Sequence, residues 1–161
     1  VQMDACSSVG SGTAIEAKGC AQMTITGAQV NWDRSPWRKF GIRLERCDHV
    51  TVTGSVVEGM VQFGIAAQGC RHLTMTGNVI RNTTAGPGLL LDACELATVL
   101  ANTISESARD GITVRACADT VLQGNPVDTF GQAPGEAETP VGIRLTGDCK
   151  GCTSEGNVVR E

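Results

Sequence analysis

Gly64-Ile65-Ala66-Ala67-Gln68-Gly69-Cys70-Arg71-His72-Leu73-Thr74-Met75-Thr76-Gly77-Asn78-Val79-Ile80 is one copy of a phrase that runs through the whole chain. It recurs from Gly41 through Cys47 to Gly54, from Gly88 through Cys94 to Ala101, and from Gly111 through Cys117 to Gly124. An earlier copy runs from Ala14 through Cys20 to Gly27; a later one, from Gly142 through Cys149 to Gly156, has one residue inserted before its cysteine. The opening segment, Val1 to Cys6, reads as a partial copy. Cys47, Cys70, Cys94 and Cys117 follow one another at steps of 23, 24 and 23 residues, while the other steps along this series range from 14 to 32. A constant core carrying inserts of variable length is the mark of a solenoid, in which each repeat buries its apolar side only by stacking on its neighbours.

The quoted copy also sets the secondary structure. Ile65 and Ala67 alternate with Ala66 and Gln68, the period of two expected of a strand. Cys70 marks a turn, and Leu73 and Met75 alternate with Thr74 and Thr76 on a second strand. Gly77-Asn78 makes a sharp corner, where glycine supplies unusual dihedrals, and Ile80 points inward from a short third strand. Aligning the copies predicts three inward columns. The first is Ile15, Ile42, Ile65, Leu89 and Ile112; the second is Ile25, Val52, Met75, Val99 and Leu122; the third is Val30, Val57, Ile80, Ile104, Val127 and Val159. The residue after the corner is Ala28, Ser55, Asn78, Asn102, Asn125 and then Asn157. A stacked asparagine column can bond to the turns above and below it, so these residues are read as structural.

The 161 residues suffice for one domain, 1–161. Aromatic residues are only 3% and tyrosine is absent, which suits a narrow core of thin aliphatic layers. Net charge is −4, and no basic run or basic–aromatic stripe appears, so a nucleic-acid partner is not expected. No apolar stretch approaches the ~18 residues of a membrane span. Val1 falls inside a repeat and Glu161 precedes another turn. The expectation is a piece of a longer chain, or a module whose strand edges are covered by the rest of that chain or by further copies in a homo-oligomer.

Eight cysteines raise the question of disulfides or zinc. Stacked one repeat apart, at a rung spacing of about 4.8 Å, parallel side chains sit slightly too far apart for a disulfide. Only Cys149 and Cys152 have the close spacing of zinc ligands, with no second pair. The column therefore reads as buried, reduced thiols, a chain that folds in a reducing compartment, and no metal or other cofactor.

The phrase G-I-x-L, followed by V-x-V-x-G-N-x-I, resembles the right-handed parallel β-helix repeat of the pectate-lyase-like superfamily, which includes polysaccharide lyases, polygalacturonase-type hydrolases, mannuronan epimerases and phage tailspikes. The resemblance covers essentially the whole chain and implies an all-β, right-handed parallel β-helix of about seven rungs of three short strands, with cysteine and asparagine ladders inside. It implies a substrate groove along the outside of the first strand, and an extracellular or virion-associated setting. The catalytic motifs of the lyases, polygalacturonases and epimerases are absent, so none of their catalytic residues carries over.

The outward residues of the first strand form two columns: Asp4, Lys18, Glu45, Gln68, Asp92, Arg115 and Thr146, beside Gln2, Glu16, Arg43, Ala66, Leu90, Thr113 and Arg144. Glu45 and Asp92, two rungs or about 9.6 Å apart, lie near the upper end of the separation used in inverting glycoside hydrolysis and are the candidate acid and base. Arg43, Gln68 and Arg115 are candidate binders of an acidic polysaccharide. The loop from Asn31 to Gly41 adds Trp32 and Trp37 as stacking platforms and Arg38 as a carboxylate clamp. His49 and His72 occupy one position on adjacent rungs, but two histidines without a third ligand make a poor metal site. The same face is equally readable as a solvated, charge-alternating surface of a non-catalytic spacer or tail-fibre module. Paired threonines on the second strand resemble an ice-binding array, yet the array lasts only three rungs and threonine is common on exposed strands.

Overall fold

A computed structural model describes residues 2–4, 7–8, 12–31, 39–131 and 139–160. The chain opens with β1 (Gln2–Asp4) and β2 (Ser7–Ser8). Six three-strand coils follow. The first three are β3 (Thr13–Lys18), β4 (Ala21–Thr26) and β5 (Gln29–Val30); β6 (Phe40–Glu45), β7 (Asp48–Thr53) and β8 (Val56–Glu58); then β9 (Phe63–Gln68), β10 (Arg71–Thr76) and β11 (Val79–Thr83). The last three are β12 (Leu89–Asp92), β13 (Glu95–Leu100) and β14 (Thr103–Ser107); β15 (Ile112–Arg115), β16 (Val121–Gln123) and β17 (Pro126–Phe130); then β18 (Ile143–Thr146), β19 (Thr153–Glu155) and β20 (Val158–Arg160). Like strands stack in parallel into three sheets of six, seven and seven strands. No helix occurs among the described residues, so none there is long and apolar enough to cross a membrane.

Two expectations need correction. The rung count is slightly below the about seven expected: six three-strand coils follow the two-strand opening segment, five full turns from β3 to β18. The opening segment is also not a first strand: Gln2, Met3 and Asp4 pair with Thr24, Ile25 and Thr26 of β4. Asp4 and Gln2 therefore belong to the second sheet, not to the outward columns of the first. A short segment with alternating polarity fits either sheet, and only pairing with the next coil selects one. Cys6 lies outside the described residues.

The register elsewhere follows the sequence reading. Ile15, Ile42, Ile65, Leu89 and Ile112 stack through successive pairings and are buried, as are the second column and the third as far as Val127. Val159 is the exception at 47% exposed, because it lies in the last described coil. The asparagine ladder is continuous. The Asn78 side chain donates to Asn102 Oδ1 (2.9 Å), Asn102 to Asn125 Oδ1 (3.1 Å) and Asn125 to Asn157 Oδ1 (2.8 Å). Each of the four also donates to a strand carbonyl, of Val52, Met75, Val99 and Leu122 in turn. Every such amide thus serves the corners of two coils, which is why a buried polar side chain is tolerated there.

The seven described cysteines are all free thiols, and Cys47, Cys70, Cys94 and Cys117 are buried. They do more than fill space. Cys47, Cys70, Cys94 and Cys117 each donate Sγ–H to the carbonyl two residues back, at 3.3–3.6 Å. The thiol closes the first turn much as a serine hydroxyl would, at lower desolvation cost. Hydrogen bonds with Cys117 and Cys70, reinforced by burial, push the Cys94 thiol far above its ordinary range, so it stays protonated.

From the second complete coil onward, the glycine that opens the repeat is required for space rather than for its dihedrals. A Cβ on Gly64 would overlap Ile80 Cγ2 and come within 2.8 Å of Gly88 O. Gly41 and Gly111 face Val57 and Val127 in the same way. The third strand of each coil thus packs directly over the start of its first strand.

Candidate functional site

The outward face of the first sheet carries a groove. Phe40, Arg43, Phe63, Ala66, Gln68, Leu90, Asp92 and Arg115 line a hollow of about 220 Å³ across β6, β9, β12 and β15. Phe63, Leu90 and Arg115 continue into a second hollow of about 380 Å³, reaching Asp110, Thr113, Arg144 and Thr146. Ala66 points outward as the alternation requires, yet it is only 8% exposed because it forms part of the groove floor.

The charged columns have the predicted register. Lys18, Glu45, Gln68, Asp92, Arg115 and Thr146 pair in succession, and Glu16, Arg43 and Ala66 stand beside them. Glu45 and Asp92 are two coils apart, with Gln68 between them; the Gln68 amide reaches Asp92 at 3.5 Å. Both carboxylates are engaged by cations. Glu45 meets Lys18 Nζ at 3.2 Å and also pairs with Arg43, which reaches back to Glu16 at 3.7 Å. Asp92 takes a bidentate grip from Arg115, with Nε at 2.9 Å and Nη2 at 2.7 Å. The Lys18 hydrogen bond, together with the Arg43 and Lys18 charges, lowers the pKa of Glu45. The Arg115 hydrogen bond and charge do the same for Asp92. A general acid needs its proton held at working pH by a raised pKa. Both carboxyls are shifted the other way, toward holding charge.

A stability prediction follows from that sign. A carboxyl with a depressed folded pKa contributes stability that is full above its unfolded value, near 3.9 for Asp, and is lost as pH falls through the folded pKa. Asp92→Asn is expected to reduce the fall in urea midpoint between pH 5 and pH 2. Equal falls in wild type and variant would show that the pair contributes nothing to the acid limb.

Three groove features escape the alignment of strand columns. Phe40 and Phe63 stack with ring centroids 5.5 Å apart and planes 20° apart, and the Arg43 guanidinium lies 4.9 Å from the Phe40 centroid. Both precede the opening glycine of a coil; extending the alignment one residue upstream would have paired them. Asp110, at the same step, is 7% exposed. It accepts Arg144 Nε at 2.7 Å and Nη2 at 3.1 Å, Val141 N–H at 2.8 Å and Thr113 Oγ1–H at 3.0 Å. That network clamps the chain where it re-enters the coil near Val141. Trp32, Trp37 and Arg38 lie outside the described residues. The segment that carries them leaves at Asn31 and returns at Lys39, whose carbonyl accepts from Gln62 and Phe63 at the groove's edge.

On the second sheet, the His49 and His72 rings stack 4.3 Å apart, and Asp48 Oδ1 lies between their Nδ1 atoms. The expected histidine pair therefore has a third polar neighbour.

Comparison with solved structures returns the same architecture. The chain is similar to the A-module of mannuronan C-5 epimerase AlgE6 from Azotobacter vinelandii, at TM-score 0.64 and 14% identity, covering 98% of this chain and 51% of that one. It is similar to a candidate glycosyl hydrolase of Parabacteroides merdae, at TM-score 0.63 and 12% identity, covering 99% and 83% respectively. It is also similar to DFA-IIIase from Arthrobacter chlorophenolicus, at TM-score 0.61 and 14% identity, covering 96% and 45%. The chain thus spans about half the length of the epimerase module and of DFA-IIIase. No curated protein matches it. The model of the right-handed β-helix region matches residues 2–160, and with three parallel sheets in continuous register the chain belongs to the right-handed β-helix family.

Proposed function

We propose that the outer face of the first sheet binds an acidic polysaccharide. The observation that carries this reading is the groove itself, an aromatic floor of Phe40 and Phe63 flanked by Arg43 and Arg115. Phenyl faces suit the C–H surfaces of sugar rings, and guanidinium groups suit uronate carboxylates. Arg115 engages Asp92 through two nitrogens, and its side chain is 57% exposed. Of its five N–H donors, some therefore remain for a ligand. Two structural neighbours are an epimerase named for mannuronan and a candidate glycosyl hydrolase, which agrees with a carbohydrate ligand by analogy of fold. Trp32, Trp37 and Arg38, outside the described residues, belong to the same proposal as further candidate contacts, and Gln68 as a polar contact on the groove floor.

Glu45 and Asp92 serve this reading as anions that hold Lys18, Arg43 and Arg115 in place. Cleavage would require one of them to carry a proton against the cations beside it. Binding without cleavage is therefore the form the geometry supports best.

A second reading rests on a specific observation. The charges of the face neutralise one another, Lys18 and Arg43 with Glu16 and Glu45, Arg115 with Asp92, and Arg144 with Asp110. Such a surface also suits a rigid module with no ligand.

Calorimetric titration with oligouronides and matched neutral oligosaccharides separates the two. Binding of the acidic series is expected, with affinity reduced about tenfold or more in Arg115→Ala, since a hydrogen bond to a charged group is worth ~1.5–3 kcal/mol. Phe63→Ala should weaken binding of both series. Absence of binding across the panel, or equal affinity in wild type and Arg115→Ala, supports the rigid module instead. Product analysis on the same samples tests cleavage: new reducing ends or unsaturated ends that vanish in Glu45→Gln or Asp92→Asn would restore the acid–base role.

A further inference from the structure

We propose that Asp48, His49 and His72 form a binding site for one divalent transition-metal ion that ties two coils together. The site lies on the second sheet and is independent of the glycan reading.

Its construction follows from register. Arg71 pairs with Asp48 and Leu73 with Val50, so His49 and His72 occupy one step of adjacent strands, β7 and β10. Both take left-handed backbone conformations, with φ of 52° and 50°. Gln22, Leu96 and Asp119 also have positive φ, of 61°, 52° and 48°, so this conformation belongs to the repeat rather than to a local distortion. Repeating one backbone conformation on neighbouring coils sets the two imidazoles face to face, with centroids 4.3 Å apart and ring planes 21° from parallel. Asp48 then supplies the third ligand. Its Oδ1 lies 3.1 Å from His49 Nδ1 and 2.9 Å from His72 Nδ1. One ligand atom from each residue falls within 4.8 Å of the other two.

The local charge is arranged for a cation. Arg71, paired in register with Asp48, sends its Nε to Glu95 at 3.1 Å, on the coil beyond. Two imidazoles and one carboxylate are the donor set favoured by borderline ions such as Zn²⁺, Ni²⁺ and Co²⁺ rather than by Ca²⁺ or Mg²⁺. The three side chains are 38–59% exposed, which leaves the remaining coordination positions to water. An ion held by His49 and Asp48 from one coil and His72 from the next would oppose separation of those coils, and so raise stability through preferential binding to the folded state.

The test is titration of the full chain with Zn²⁺ by calorimetry, paired with Co²⁺ absorption and thermal unfolding. The expected result is one Zn²⁺ per chain, a raised unfolding temperature, and a Co²⁺ spectrum without thiolate charge transfer. His49→Ala, His72→Ala and Asp48→Ala should each weaken binding at least tenfold and abolish the thermal shift. The backbone should tolerate the histidine changes, because Ala93, Ala101 and Ala116 already occupy left-handed positions in this protein. Circular dichroism checks folding, and His72→Gln provides a second variant should His72→Ala unfold. Cys149→Ser combined with Cys152→Ser should leave binding unchanged. Absence of Zn²⁺ binding up to ~1 mM, binding indifferent to the histidine variants, or binding lost with the cysteine pair would each overturn the assignment.

Discussion

Asn102→Ala is expected to destabilise the protein by about 2–4 kcal/mol. The side chain is fully buried, and its Oδ1 accepts the Asn78 backbone N–H at 3.0 Å and the Asn78 side-chain amide at 2.9 Å. Its Nδ2 donates to Met75 O at 2.9 Å and to Asn125 Oδ1 at 3.1 Å. Truncation removes all four bonds and leaves the Asn78 N–H facing a void. A buried donor without a partner costs about 1–3 kcal/mol, and the lost packing adds to it. Ser55 occupies the same position two coils earlier and accepts the Ala28 N–H at 3.2 Å, so a smaller hydrogen-bonding residue can serve. Asn102→Ser should accordingly recover part of the loss. Urea denaturation of the three proteins measures this; an alanine variant within about 0.5 kcal/mol of wild type would mean that water replaces the ladder at no net cost.

Gly64→Ala is expected to cost about 3 kcal/mol, or about 6–12 °C in unfolding temperature for a chain of this size. The added methyl would overlap Ile80 Cγ2, a side chain with no exposed surface, and press on the Gly88 carbonyl of the next coil. That carbonyl accepts the Gly64 and Ile65 N–H groups at 3.0 and 3.1 Å, so retreat would stretch two bonds between coils. Gly77→Ala should cost much less, because its Cβ meets nothing within 4 Å and Ala101 already holds the equivalent corner at φ 51°. The double variant Gly64→Ala/Ile80→Ala identifies the mechanism: alanine lacks the Cγ2 that meets the added methyl, so the loss in the double variant should be smaller than the sum of the two single losses. If the double variant is simply the sum of two losses, steric overlap is not the cause.

The contrast between these glycines carries a general point about the repeat. Both recur at a fixed step, and from sequence alone both look like turn residues. At Gly77, φ is positive and the side chain would point into open space; at Gly64, φ is ordinary and the neighbouring strand fills the space. The first requirement is local and therefore legible in the phrase. The second depends on how the third strand folds back over the first, which no single repeat contains.

The same division runs through the molecule. Period-two alternation and repeat spacing were enough to identify the strands, the inward Ile, Val, Leu and Met columns, the asparagine ladder and the free thiols. Each follows from one coil being a copy of the next: once side chains stack in register, burial and hydrogen bonding are shared by every member of a column. They also sufficed to place Glu45, Gln68, Asp92 and Arg115 in one outward column. Tertiary structure alone decided which sheet Gln2–Asp4 joins, because a three-residue strand carries too little pattern to choose its partner. It alone brought Asp110 under Arg144 and Asp48 between His49 and His72. These contacts link residues outside the regular alternation, at loop re-entries and turns, or join two columns that the alignment keeps separate. Their partners are chosen by the distance between adjacent coils and by which way a turn aims its side chain, quantities that exist only once the coils have stacked.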